Sequence, residues 1–521
     1  MLKLSVRIYL GLLLLIFLGV WQADLHAFVG GSGTANDPWQ IGSARDLSDM
    51  RSYPGQYFCL VNDIYLDDAP FGEGEGWIPV GDLSTPFTGH LSGKHNGIQY
   101  TIHNLFINRP ETDYQGLFGY TQGGSVQNLR IVGANVSGGG FTGILAGIMS
   151  SMDILYDCYV EGTVLAHGDY SGLLCGLCLG DYGHYYQASA QGEIISSGSY
   201  TGGLVGKLDN FGNFEHSRVN AFVTATGNYV GGMFGVTNFA CEVYYCKYYG
   251  VVNGESYVGG LIGLSDFDTW VRYSFASAMV VGNQYVGGLA GFLGKDSCMR
   301  NSFARGTVLG QDCVGGFAGA AVGGACMFWC YSYALVNGAS NVGGFIGDSN
   351  IYGTGAPISS CYWDIETSGQ TSSDGGLGRT TAQMTNGQTA DTYVDWDFAT
   401  IWAHDVQMLN NGYPMLQSNP VSTPQEHIPA PQLSLTASPN PFRDYVKLEL
   451  KLNTPGSCTL DVYNLKGQKQ RSFVSSSAGQ KSISLDWDGR DEDGKLCPSG
   501  VYIVRLRSGK QSAVRKITLI R

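Results

Sequence analysis

The chain has 521 residues, 44% of them hydrophobic, with 43 acidic against 30 basic side chains and a formal net charge of −13. That length exceeds one ordinary globular core, and the apolar content is too high for a disordered chain. The charge excludes a nucleic-acid partner, whose phosphates need clustered Lys and Arg. Glycine supplies 76 residues while only 14% are charged, roughly double and half of ordinary usage. An elongated stack of short, glycine-punctuated strands accounts for both.

At the N-terminus, Lys3 and Arg7 precede an apolar run over residues 8–20, and Leu25-His26-Ala27 ends in a small residue suited to signal-peptidase cleavage. That run of 13 residues falls short of the roughly 20 needed to cross a bilayer as a helix. Residues 1–27 therefore read as a secretory signal peptide. Residues 28–118 read as a capping region with the first coils. Within them Ser43 is a helix N-cap with Asp46 three residues later, and Leu47 and Met50 follow at helical spacing. Such a helix suits the open end of a β-stack, which needs a cover.

Residues 119–360 repeat. The pattern Tyr257-Val258-Gly259-Gly260-Leu261-Ile262-Gly263 has close copies beginning at Tyr200, Tyr229 and Tyr285. Aligned on the last glycine, the series runs Gly119, Gly147, Gly176, Gly206, Gly235, Gly263, Gly291, Gly319 and Gly347, with spacings of 28 to 30 residues. Two positions earlier stands an unbroken column of large apolar residues: Leu117, Leu145, Leu174, Leu204, Met233, Leu261, Leu289, Phe317 and Phe345. Short Val, Ile, Tyr and Phe runs broken by glycine exclude a helical repeat. The fold class expected is therefore all-β: a parallel β-solenoid of about nine coils, each of two or three strands stacked about 4.8 Å apart, then a small C-terminal β-sandwich. Paired glycines are expected at corners needing positive φ and where backbones approach closely. The structural repeat glycines are Gly206, Gly235, Gly263, Gly291, Gly319 and Gly347.

Eleven residues past the aligned glycine lies a column of small residues, Cys158, Ser217, Cys246, Ser274, Ser302 and Cys330, where cysteine acts as a small hydrophobe. Alternation with serine excludes a continuous disulfide ladder in this column. Cys175 with Cys178, Cys241 with Cys246, and Cys326 with Cys330 stay open as pairs, against a background of mostly unbridged buried thiols. Residues 361–416, rich in Trp and Tyr, read as the C-terminal cap. Residues 417–431 carry Pro420, Pro424, Pro429 and Pro431, an extended linker. Residues 432–521 alternate apolar and polar, as in Val446-x-Leu448-x-Leu450, which marks the β-sandwich.

The glycine columns, with Asn301-Ser302-Phe303-Ala304-x-Gly306-x-Val308, resemble the GLUG-motif repeats of bacterial surface and secreted proteins. The lead-in (Gly30-Gly31-Ser32-Gly33-Thr34, Asp37-Pro38, Pro86-Phe87-Thr88-Gly89) and the exit (Cys361-Tyr362-Trp363-Asp364, Trp396-Asp397-Phe398, Gly412-Tyr413-Pro414) extend the resemblance over residues 28–416. The last domain is similar to the C-terminal sorting domains of type IX secretion and to the related hook-capping immunoglobulin-like module. The matching residues are Ser438-Pro439-Asn440-Pro441-Phe442, Val462-Tyr463-Asn464-Leu465-x-Gly467, Trp487-Asp488-Gly489, Ser499-Gly500-Val501-Tyr502 and the closing residues 516–521. Residues 487–494 lean toward the hook-capping variant. The resemblance implies export across an outer membrane, with the secretion machinery as partner.

Catalytic motifs are absent: there is no His-Glu-x-x-His, no Gly-x-Ser-x-Gly with partners and no phosphate loop ahead of a helix. His90, His95 and His103 form a loose group that reads as surface histidines. Asp181, Asp209, Asp266, Asp268 and Asp296 follow aligned glycines by one to five residues, accompanied by Tyr182, Phe211 and Phe267. They read either as a ligand strip for sugar, protein or Ca²⁺ along one edge, or as turn residues. Asp488, Asp491, Asp493 and Gly494 resemble part of a calcium loop but read as a hairpin, because Gly489 stands where a carboxylate ligand belongs. The column Tyr170, Tyr200, Tyr229, Tyr257 and Tyr285 reads as a stacking ladder. No catalytic residue, metal ligand or cofactor is assigned. The function expected is a non-enzymatic, adhesin-like display rod that binds an extracellular polysaccharide or a host or neighbour surface protein. The alternative is a polysaccharide lyase or glycosidase on a β-helix.

Overall fold

A computed structural model of the chain describes residues 28–520, apart from residues 152–153, 181, 352, 354, 386–391, 419–433, 440–441, 452–456, 465–468, 477–481 and 509–510. The signal-peptide segment, Asp181 and most of the linker lie outside the described residues. The chain divides into two units, residues 1–420 and 421–521.

The first unit is a parallel β-solenoid of about ten turns. One coil consists of Ser256–Gly259, Ile262–Ser265, Trp270–Arg272 and Phe275–Val281. Each strand pairs in parallel with its equivalent 28 residues on: Val258 with Val286, Ile262 with Ala290, Trp270 with Cys298 and Phe275 with Phe303. A coil thus has four short strands rather than two or three, because the Gly-Gly step ends one strand and begins another on a new face. The strands stack into sheets of 12, 14, nine and seven. The nine-stranded sheet carries the repeat register. Every aligned glycine from Gly119 to Gly347 is the second residue of one of its strands. The apolar column beside it, from Leu117 to Phe345, is at most 1% exposed throughout.

Close approach, not corner geometry, accounts for these glycines. None of Gly206, Gly235, Gly263, Gly291, Gly319 or Gly347 has a positive φ, yet a Cβ on each would lie 2.5–2.7 Å from backbone atoms. Gly232 also leaves room for the Tyr248 ring, which a Cβ there would approach to 2.5 Å; the buried Tyr248 hydroxyl donates to Ala221 O at 2.7 Å. The left-handed corners fall instead on the tyrosine column, with φ of 64° at Tyr170, 60° at Tyr200, 61° at Tyr229, 57° at Tyr257 and 55° at Tyr285. Non-glycine residues rarely hold this region. Here each ring stacks on the next at 4.6–5.0 Å, so the ladder repeats the strain and its compensation coil by coil.

The small-residue column is buried and stitches coils together. Ser274 and Ser302 donate to the carbonyls of Arg272 and Arg300 and accept the backbone N–H of Cys246 and Ser274 respectively. The bridge that forms is none of the three left open above: Cys298 joins Cys326 across adjacent coils. Cys175 and Cys178 lie on one strand, and Cys326 is already committed. The other eleven cysteines are buried and unbridged.

At the N-terminal end, helix Ala44–Asp49 is capped by Ser43, whose Oγ accepts the Asp46 N–H at 3.2 Å. Its Leu47 and Met50 join the solenoid core. At the other end only part of 361–416 closes the stack. Trp363 enters the core beneath Gly344, and Leu377–Arg379 pairs with the last long-sheet strand. Residues 392–416 instead cover the outer face of the 14-stranded sheet, where Trp402 packs on Phe303 and Tyr331. Asn410 is the hub there: its amide donates to Tyr331 Oη at 2.7 Å and accepts from Tyr333 Oη at 2.7 Å and Arg305 at 3.0 Å.

The second unit has two antiparallel sheets of three and four strands. Leu448 and Trp487 from one and Leu460, Val462 and Val504 from the other share a buried core.

Candidate functional site

One edge of the solenoid follows the nine-stranded sheet, where each coil turns toward the 12-stranded sheet. Each turn carries residues in the left-handed region, including Tyr182 (φ 68°), Phe211 (61°), Phe239 (53°) and Phe267 (43°). At these four turns the large aromatics stay 73%, 41%, 52% and 44% exposed. They form two stacked pairs, Tyr182 with Phe211 at 4.7 Å and Phe239 with Phe267 at 5.2 Å. Phe239 escaped sequence reading although it stands four residues past Gly235, as Phe267 stands past Gly263.

The structure places four of the five candidate aspartates on this edge; Asp181 is outside the described residues. They do not converge. Asp209 pairs with Lys207 at 2.6 Å and accepts from Asn238 one coil on. Asp266 Oδ1 accepts the N–H of Phe267 at 3.0 Å and of Lys295, in the next coil, at 2.8 Å. Asp268 accepts from Trp270 Nε1 at 3.0 Å, and Asp296 is exposed in the following coil. Three of the four thus anchor turns, and the row presents its charge coil by coil. Among the described residues, no three His, Cys, Asp or Glu side chains come close enough to hold a metal ion.

Two of the three histidines share a cavity of about 350 Å³ near the N-terminal end, also lined by Tyr57 and Cys59. His95 Nδ1 lies 3.4 Å from Cys59 Sγ, while His90 stacks on Tyr57 and its Nδ1 lies 2.9 Å from Ser125 Oγ. His103 is elsewhere, stacked on Tyr65. Burial, with Asp37 adding to it, pushes the Cys59 thiol up to about 11. It is a protonated thiol at neutral pH, a poor nucleophile.

A third feature gave no motif. On the outer face of the 12-stranded sheet, Arg272 and Arg300 stand in register on adjacent coils beside Trp270. Its only sequence signal is their separation by one 28-residue period.

In the second unit, the residues that carried the resemblance are core residues. Phe442 packs on Trp487 at 5.6 Å and Trp487 on Tyr502 at 5.0 Å. Trp487 Nε1 donates to Arg490 O and Tyr502 Oη to Pro498 O. Residues 488–495 close as a turn in which Asp491 Oδ1 accepts the Lys495 N–H at 2.8 Å.

Comparison with known proteins matches parts of the chain. A Gly-rich membrane protein of Evansella cellulosilytica is 42% identical over 125 residues, covering 23% of this chain and 14% of that protein. Halomucin of Haloquadratum walsbyi is 36% identical over 131 residues, 24% of this chain and 1% of its own. The chain therefore spans a small fraction of the curated relatives it matches. Two solved structures each align with 17% of the chain: dimeric latent PorU of Porphyromonas gingivalis (21% identity, 9% of that chain, TM-score 0.16) and PorZ, a surface component of its type IX secretion system (24%, 12%, 0.14). Residues 437–520 match the family model of the secretion system C-terminal sorting domain. The second unit is accordingly a type IX C-terminal sorting domain, and the protein that carries it is exported to the cell surface or beyond.

Proposed function

We propose that the solenoid is a non-enzymatic display rod that binds an extracellular polymer. In this reading residues 1–27 direct export across the inner membrane, and the sorting domain engages the outer-membrane machinery. The observation that carries the reading is the exposed aromatic row Tyr182, Phe211, Phe239 and Phe267. A secreted protein gains no stability from large apolar side chains left exposed, and such a patch is the signature of a binding surface. A row that repeats once per coil suits a ligand that repeats, and a stiff parallel stack keeps the row straight. Repeats of the GLUG type serve here as scaffold. A neighbouring cell's surface protein is the second occupant to test.

Lyase or glycosidase chemistry on a β-helix needs two carboxylates at a defined separation or a metal-bridged acidic cluster on one face. Asp209, Asp266 and Asp268 are each engaged with their own turns, which weighs for binding without turnover. The test is retention of the full-length protein on insoluble polysaccharides, compared with a variant carrying Y182S, F211S, F239S and F267S. Retention lost in the variant, without release of reducing ends by either protein, supports the rod; equal retention overturns the edge assignment, and reducing-end release favours the enzyme.

A further inference from the structure

The outer face of the 12-stranded sheet changes character between Tyr244 and Phe328. Strands Glu242–Tyr244, Trp270–Arg272, Cys298–Arg300 and Cys326–Phe328 bury their central residues, Val243, Val271, Met299 and Met327, and leave their flanking residues half-buried on the other face, with Cys298 alone among them buried. Parallel register then sets Arg272 directly beside Arg300. Like charges opposed on a sheet repel. In a protein with net charge −13, a carboxylate partner for each would be easy to supply, yet neither guanidinium has one within salt-bridge distance among the described residues. Both Nε atoms are buried without an acceptor.

What holds the pair is aromatic. Arg272 Cζ lies 4.5 Å from the Trp270 ring centroid and 5.4 Å from that of Tyr244. Arg300 Cζ lies 4.8 Å from Trp270 and 5.1 Å from Phe328. With each Nε buried against the rings, the terminal Nη groups are the donors left for a planar oxyanion, which a guanidinium receives in two parallel hydrogen bonds. The Cys298–Cys326 bridge lies on the same face and ties the strand of Arg300 to the next. The bridge therefore fixes Arg300 covalently against the strand of Phe328, while backbone pairing alone sets Arg272 beside Arg300. Glu242 marks its N-terminal limit, one coil before Trp270.

We propose that Arg272, Arg300 and Trp270 form a subsite for the charged groups of an acidic polysaccharide, carboxylate or sulfate, on a face distinct from the aromatic edge. The inference rests on the polymer-binding reading and names the class of polymer. Two cations one coil apart match a chain that bears an anion on successive sugars, and the adjoining aromatic surface suits the apolar faces of pyranose rings.

The test is affinity electrophoresis of the full-length protein in polygalacturonate, dextran sulfate and neutral dextran. The R272Q/R300Q variant, which keeps polar stems against the rings, is expected to bind the acidic polymers about tenfold more weakly, with neutral-polymer retention unchanged. R218Q makes the same kind of charge change on the 14-stranded sheet, where Arg218 stacks on Tyr249, and leaves binding intact. E242Q removes one of the carboxylates bordering the platform, the other being Asp268 on Trp270 Nε1, and tightens acidic binding about twofold, a gain that misfolding cannot mimic. Unchanged binding by both R272Q/R300Q and E242Q overturns the subsite, as does an equal loss in R218Q. Retention by neutral but not acidic polymers sinks the inference and leaves the polymer-binding reading standing, whereas retention by none sinks both. Competition by sodium sulfate as effective as by polymer of equal charge reduces the site to one for small anions and overturns the polysaccharide assignment.

Discussion

Replacing Gly263 by alanine puts a methyl carbon 2.6 Å from Gly235 O, 2.7 Å from Tyr257 O and 2.7 Å from Val230 N. All three are backbone atoms, so no side-chain rotation relieves the contact. Ordinary contact begins near 3.4 Å, so adjoining strands must part by roughly 0.8 Å, the difference between 3.4 and 2.6 Å. Overpacking a close-packed interior costs about 1–3 kcal/mol, and inter-coil hydrogen bonds that lose alignment add about 1 kcal/mol each. The expected loss is about 3 kcal/mol, felt in the coils on either side. Long repeat arrays depart from two-state unfolding, so amide hydrogen exchange on the full chain, read over residues 230–291, is the suitable assay. Exchange there should quicken about a hundredfold and stay unchanged in distant coils. Gly355, where an added Cβ meets nothing within 4 Å, supplies the control as G355A. Exchange in G263A within threefold of that control would refute the close-approach account of the glycine column.

The remaining predictions concern the bridge, the thiols and the aspartate edge. Reducing Cys298–Cys326, which closes a loop 28 residues apart in sequence, should cost about 3–4 kcal/mol; a tryptic map should show that linked peptide, and equal urea midpoints for oxidised and reduced protein would contradict its role. Burial pushes the thiols of Cys158, Cys175, Cys241 and Cys246 from an ordinary 9.0 up to about 12. The unfolded chain therefore loses these protons first. Stability should be full below pH 9 and fall between pH 9 and 12, by at most about 1.4 kcal/mol per pH unit per thiol, and iodoacetamide at pH 8 should label them only after unfolding. Asp266→Ala, which strips acceptors from the Phe267 and Lys295 N–H groups, should lower stability by about 1–2 kcal/mol irrespective of Ca²⁺. Asp268→Ala should cost less, since it loses one exposed contact to Trp270; a Ca²⁺-dependent melting shift abolished by either change would restore the calcium reading.

The stack was legible in the chain because a solenoid writes its tertiary period into one dimension. The distance from Gly235 to Gly263 to Gly291 is the circumference of a coil, and the column Leu117 to Phe345 is its core. The sorting domain was equally legible, since its identifying residues, Phe442, Trp487 and Tyr502, are those that must pack together. Three things lay beyond the sequence. Which residues take positive φ is set by the path of the coil: tyrosines hold that corner from Tyr170 to Tyr285 and Cys313 and Asn341 continue it without rings, while the aligned glycines served close approach. Cys298 and Cys326 pair because register brings them face to face on adjacent strands, a relation that near neighbours in sequence such as Cys326 and Cys330 lack. Finally, Arg272 and Arg300 are ordinary residues one period apart; only the inter-coil pairing that sets them side by side, with no carboxylate in salt-bridge distance among the described residues, makes them the subsite proposed.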